Sequence, residues 1–202
     1  MVKVIRTAVV LIGMLTIGAC STLSQQEFGS SYSFETRQFD ELRVDDFTPA
    51  PKQAMARAHF LASPEVVFAK LGDHENMNQW MPFINHEIKV DHSNSRTPGK
   101  SDVGTVRICD FAGDKLTESI LYWEEGKSYA YTVLPGDANP ALDHLGVITV
   151  EPDGKGGSLV SWRQYFEPKP WSLKGNVMPT MIGVVMNMAL DNLVDEYGGE
   201  VL

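Results

Sequence analysis

The chain has 202 residues and carries 26 Asp and Glu against 17 Lys and Arg, a formal net charge of −9 at neutral pH. Such an acidic surface repels phosphate backbones, and without a basic patch to reverse the sign locally, nucleic acid is not expected as a partner.

The first twenty residues read as a sorting signal. Lys3 and Arg6 precede an apolar run over residues 8–17, and Gly18-Ala19-Cys20 follows. A cationic start, an apolar segment of roughly 7–15 residues and small residues at the cut define a secretory signal. The run falls short of the roughly 20 residues needed to span a bilayer. Ile17-Gly18-Ala19-Cys20 resembles the bacterial lipobox, which implies that the thiol of Cys20 is diacylated and that cleavage makes it the first mature residue. Acyl chains stabilise membrane association by about 0.8 kcal/mol per buried CH₂, so a multiply acylated Cys20 holds firmly. Ser21 stands where an Asp would, by resemblance to bacterial sorting rules, favour the inner membrane. The expected address is the cell envelope, lipid-anchored to the outer membrane and facing the periplasm. Removing residues 1–19 takes away two basic residues and no acid, which leaves a formal charge of −11. It also leaves Cys109 with no disulfide partner in the chain, and inside an apparent strand it reads as a small buried hydrophobe.

Residues 20–51 are rich in Ser, Gln, Asp and Glu and read as a lipidated tether, although the aromatics between Phe39 and Phe47 suit docking on the domain. Thr48-Pro49-Ala50-Pro51 marks a boundary, and residues 52–202 form the domain. Residues 52–61 alternate as a half-buried strand. Ser63-Pro64-Glu65 predicts an N-cap and a short helix ending at Gly72. Asn76-Met77-Asn78-Gln79-Trp80-Met81-Pro82 predicts a second helical turn. Six strand candidates follow at hairpin spacing, over residues 84–92, 103–110, 115–123, 128–134, 142–150 and 158–166, joined by Gly-bearing turns. From 177 to 197 the apolar residues recur at helical spacing, and Gly198-Gly199 closes the run.

The expected fold class is α+β: a curved antiparallel sheet wrapped around a long C-terminal helix, with two short helices after the first strand. This arrangement resembles the START-like (SRPBCC) superfamily of polyketide cyclase/dehydrase-like proteins and lipid carriers. The resemblance covers roughly residues 52–197. It is carried by Ala62-Ser63-Pro64-Glu65-Val66-Val67-Phe68, Met77-Asn78-Gln79-Trp80-Met81-Pro82, Val103-Gly104-Thr105-Val106-Arg107 with Leu116-Thr117-Glu118, and Ser161-Trp162 with Phe166-Glu167-Pro168. Asp102 departs from the pattern where a second glycine is common, which touches only the local turn. The resemblance implies a helix-grip cavity between sheet and helix for an apolar or amphipathic small molecule, and such cavities carry a few polar groups that set orientation.

Glu118 shares parity with Leu116, Ile120 and Tyr122, so an inward apolar face would carry a carboxylate, with Arg107 on the preceding strand as its partner. Burial without one would cost several kcal/mol or force protonation. The alternative is an exposed cross-strand pair of small consequence. Trp162 shares a face with Gln164 and Phe166 and is expected inward. Tyr131, His144 and Asn187 could each place a polar tip in the cavity. Asp73-His74-Glu75 and His86-Glu87 lack metal-site spacing and read as solvated loops. Nucleophile, phosphate-loop and metal motifs do not occur, so no cofactor, metal or catalytic constellation is expected.

Three functions compete. The first is a membrane-tethered periplasmic protein that binds a hydrophobic small molecule. The second is a cyclase/dehydrase-type enzyme with Glu118 or His144 as acid–base group. The third is a non-catalytic envelope interaction protein, which an empty or fully packed cavity would favour.

Overall fold

The computed structural model describes residues 36–84, 88–136, 141–170 and 173–202. The signal, Cys20, the first part of the tether, His86 and Glu87 lie outside the described residues. Within them, residues 36–202 form one compact unit. In chain order it contains β1 (Gln38–Phe39), β2 (Leu42–Arg43), β3 (Lys52–Phe60), α1 (Pro64–Gly72), a 3-10 turn (His74–Gln79), β4 (Lys89–Asp91), β5 (Val106–Phe111), β6 (Asp114–Glu124), β7 (Ser128–Val133), β8 (Ala141–Pro152), β9 (Ser158–Pro168), α2 (Leu173–Tyr197) and β10 (Gly199–Val201). Among the described residues eight strands form one antiparallel sheet in the order β10-β3-β9-β8-β7-β6-β5-β4.

The alternation of β3 explains how the helix docks. Ala54, Ala56, Ala58 and Phe60 point inward and are buried, and the small alanines leave room for α2, whose Ala189, Leu190 and Leu193 are fully buried in the same core. By length and composition the 177–197 segment of α2 could cross a membrane. Here its C-terminal half lies on the sheet as the core helix of the grip. Gly198 and Gly199, at φ +69° and +120°, turn the chain back so that β10 pairs with β3. A three-residue strand that starts within a Gly pair carries no periodic signal, and sequence reasoning stopped at the helix.

The boundary expected at Lys52 moves upstream to Thr36. Leu42 and Val44 are fully buried against Ala130, Leu145, Val147 and Tyr165, on the sheet face opposite α2. Arg37 donates to the carbonyls of Thr48 and Ala50 at 2.7 and 2.9 Å and lies over the Tyr165 ring, while the Arg163 guanidinium lies 4.1 Å from the Phe39 centroid. Residues 36–51 are therefore a strap that covers this face.

Two local expectations are also corrected. Ser63 occupies the N-cap with an extended backbone, but its hydroxyl makes no capping bond. In β6 a bulge between Ile120 and Tyr122 breaks the alternation, so Tyr122 packs with the strap-side cluster and Trp123 takes the inner face against Tyr129. Asp102 organises its own turn, accepting from Thr97 Oγ1, Arg96 Nε and the Val103 amide.

Candidate ligand cavity

Between the inner face of the sheet, the 3-10 turn and the N-terminal half of α2 lies a cavity of about 300 Å³. Its walls are mainly apolar, with Met77, Trp80 and Met81 on one side and Met178, Ile182 and Met186 on another. Val177, Met181 and Ala112 both line it and are exposed, and so mark its mouth. The Asn192 side-chain amide on α2 donates to the Trp80 carbonyl at 2.8 Å and ties the helix to the turn.

Polar groups converge on the sheet side. Arg107 and Glu118 are direct cross-strand partners of β5 and β6, at 2 % and 8 % exposure, and Arg107 Nε donates to Glu118 Oε2 at 2.6 Å. The exposed-pair alternative does not hold. The guanidinium also lies 4.6 Å from the Tyr131 ring centroid. Burial opposes its charge, but the adjacent Glu118 carboxylate outweighs that and raises the Arg107 pKa. Arg107 Nη1 is buried with no hydrogen-bond partner among the described residues. The Cys109 thiol donates to the same Glu118 oxygen at 3.7 Å, and burial, then Glu118, push its pKa up to about 12, which keeps it protonated and unreactive.

Beside this pair runs a chain of hydrogen bonds with a fixed direction. The Val133 amide donates to His144 Nδ1 at 3.1 Å, so the ring proton sits on Nε2, which donates to Gln164 Oε1 at 2.7 Å. Gln164 Nε2 then donates to Tyr131 Oη at 2.7 Å, and Trp162 Nε1 donates to the same oxygen at 3.2 Å. Burial lowers the His144 pKa and holds the ring neutral, while burial and then Glu118 raise that of Tyr131 and keep it a phenol.

Two backbone features aim these side chains. A bulge in β8 between Leu142 and Leu145, with Asp143 at φ +52°, puts Ala141 and His144 both on the cavity wall. Thr48 of the strap donates to the Asp143 carbonyl at 2.6 Å and holds the bulge from the far face. Gly146 faces Tyr131 across β7 and β8, and a Cβ at that position would stand well inside van der Waals contact with the Tyr131 ring. Gly146→Ala is therefore expected to cost about 1–3 kcal/mol by overpacking. Urea unfolding measures this, and an unchanged midpoint would show that the ring has slack.

Of the residues singled out from the sequence, Arg107, Glu118, Tyr131, His144 and Trp162 line the cavity together. Asn187 does not. Its side chain turns back along α2 and donates to the Gly183 carbonyl at 2.8 Å, the common bond of a polar side chain to the preceding helical turn. His74 is corrected as well, from a solvated loop to a fully buried ring packed edge-on against Trp123 and Tyr129, with neither nitrogen hydrogen-bonded among the described residues. Burial, then the Arg107 charge, lower its pKa well below 6.5. Gln164 and Trp80 were missed. Gln164 was within reach of the parity that placed Trp162, whereas the facing of Trp80 depends on a turn without periodicity. Among the described residues no cluster of His, Cys, Asp or Glu could hold a metal ion.

A curved antiparallel sheet closed over a cavity by one long C-terminal helix defines a helix-grip domain of the START-like, SRPBCC class. Residues 53–198 match the family described as polyketide cyclase / dehydrase and lipid transport. The chain belongs to that family. No curated protein matches its sequence. Among solved structures it is similar to the protein XoxI from Bacillus cereus, at 20% identity and a TM-score of 0.59 over 71% of this chain and 94% of that one. A START superfamily protein from Mycobacterium smegmatis matches at 16% identity and a TM-score of 0.56, over 71% and 95% of the two chains. Ginseng major latex-like protein 151 from Panax ginseng matches at 13% identity and 0.53, over 73% and 97%. At these identities the likeness is one of fold.

Proposed function

We propose that the protein binds and carries a hydrophobic or amphipathic small molecule in this cavity while tethered to the envelope through Cys20. The observation that carries the binding reading is the cavity itself: about 300 Å³, with mainly apolar walls and a linked set of polar side chains on the sheet. The family's description, which includes lipid transport, supports it. The acid–base reading is less favoured at His144, the candidate whose acceptor atoms are all engaged. His144 has both ring nitrogens in hydrogen bonds, and Glu118 Oε2 holds Arg107 and Cys109. A general base needs a free lone pair within reach of a substrate proton. The interaction-scaffold reading is less favoured because the interior holds a lined cavity with grouped polar side chains, which a fully packed scaffold would not have.

Native mass spectrometry of the full chain mixed with lipids extracted from its own source tests the binding reading. Retention of a discrete mass that a bulky substitution at Met186, such as Met186→Trp, displaces is expected. A chain that stays at its own mass throughout sinks the carrier reading. The tether is tested separately. Wild type is expected to incorporate labelled palmitate and sediment with membranes, and Cys20→Ser is expected to do neither. Continued labelling of the Ser variant would exclude Cys20 as the acylated residue.

A further inference from the structure

We propose that the cavity is built for a neutral ligand whose polar end is a hydrogen-bond acceptor, a carbonyl or ester oxygen, received by the hydroxyl of Tyr131. This deepens the binding reading above and rests on it.

The direction of the hydrogen-bond chain carries the first half of the inference. Tyr131 Oη accepts from both Gln164 Nε2 and Trp162 Nε1, so its lone pairs are engaged. Its own proton is given to no acceptor among the described residues. A phenol that accepts twice and donates nowhere among them, 3 % exposed and lining the cavity, offers that proton to whatever occupies the space beside it. Of the neighbouring polar groups, His144 uses both nitrogens and Gln164 gives an N–H to Tyr131, while Arg107 Nη1, also without a partner among the described residues, belongs to a guanidinium already paired with Glu118. The wall therefore presents a donor in an apolar surround, and leaving that donor unpaired in a filled cavity would cost affinity.

Charge carries the second half. Among the described residues the one cation on the wall, Arg107, is matched by Glu118 at 2.6 Å, and both are buried. His144 is neutral, and the Cys109 thiol and Tyr131 phenol are protonated. A carboxylate ligand would add a third buried charge beside a cation already matched, and an ammonium ligand would have to draw Glu118 away from Arg107. A neutral acceptor satisfies Tyr131 and disturbs neither.

The test uses the full chain and three probes of equal chain length: methyl dodecanoate carrying a ¹³C carbonyl, dodecanoate and dodecane, each competing against bound Nile red. The ester is expected to bind about five-fold more tightly than the alkane, the effect of one net hydrogen bond, and more tightly than the carboxylate. Its carbonyl stretch is expected to shift to lower frequency when bound. Tyr131→Phe should abolish both the preference for the ester over the alkane and the shift. Because wild-type selectivity and the infrared band stand without the variant, poor folding of Tyr131→Phe does not rescue the proposal. Dodecanoate binding as tightly as the ester, or an unshifted carbonyl in the wild type, overturns it and leaves the carrier reading intact. Failure of all three probes to bind overturns both.

Discussion

Arg107→Met is expected to destabilise the fold by about 3–5 kcal/mol, because it leaves the Glu118 carboxylate buried without its cation. Glu118→Gln strands the guanidinium in the same way, leaving neutral groups, the Tyr131 ring and an uncharged amide among them, against it. The double variant should recover much of the loss. Arg107 Nη1 already lacks a partner among the described residues, so the wild-type pair does not repay its full desolvation, and two neutral side chains of similar volume remove that cost. The coupling energy from urea unfolding of the four proteins separates this pair from a surface one. A surface pair would show single-variant losses under about 1 kcal/mol and coupling near zero. Near-zero coupling would mean that the two groups are hydrated in solution and that the polar anchor of the cavity is absent.

Stability is expected to fall as the pH drops below the ordinary histidine value, ahead of carboxylate titration, with a slope approaching about 1.4 kcal/mol per pH unit from His74 and a further contribution of the same sign from His144. The sign follows from burial. Desolvation holds the folded-state pKa of His74 well below 6.5, with Arg107 adding to it, and desolvation also lowers that of His144 against the opposing pull of Glu118. Below the ordinary histidine value the unfolded chain therefore binds protons that the folded chain refuses. The stability is fully present above that value and is lost as the pH falls through it. His74→Phe, which keeps the aromatic packing against Trp123 and Tyr129, should remove most of the slope. A slope that His74→Phe leaves unaltered would show that His74 titrates with solvent access.

Much of the architecture was legible because its signals are local. The alternation of β3, the hairpin turns and the helical spacing of α2 each arise within a few residues, and a period of 2.0 or 3.6 needs no knowledge of the rest of the chain. The same parity put Trp162 on an inward face and set Glu118 opposite Arg107, but left open whether that pair was buried. It failed where the period itself breaks. At the β6 bulge one extra residue turned Tyr122 away from the cavity, and at Asn187 a bond to the preceding turn outweighed the pull of the cavity. The strap was legible only as scattered aromatics, since residues that pack singly across a sheet face carry no repeat.

The α+β order of strands and helices is written in the amino-acid order, because each element rests on period in one stretch of chain, whereas the facing of Glu118, left open between cavity and surface, was decided only by the fold. The burial of His74 was decided there too, since its surroundings come from β6 and β7, far away in the chain. The direction of the proton chain likewise arises only in three dimensions. Val133, His144, Gln164 and Tyr131 sit on three strands, and which atom donates to which is set by the distances that sheet register and the β8 bulge impose. Hydrogen bonding acts over about 3 Å between groups dozens of residues apart, and a one-dimensional pattern holds no record of that separation.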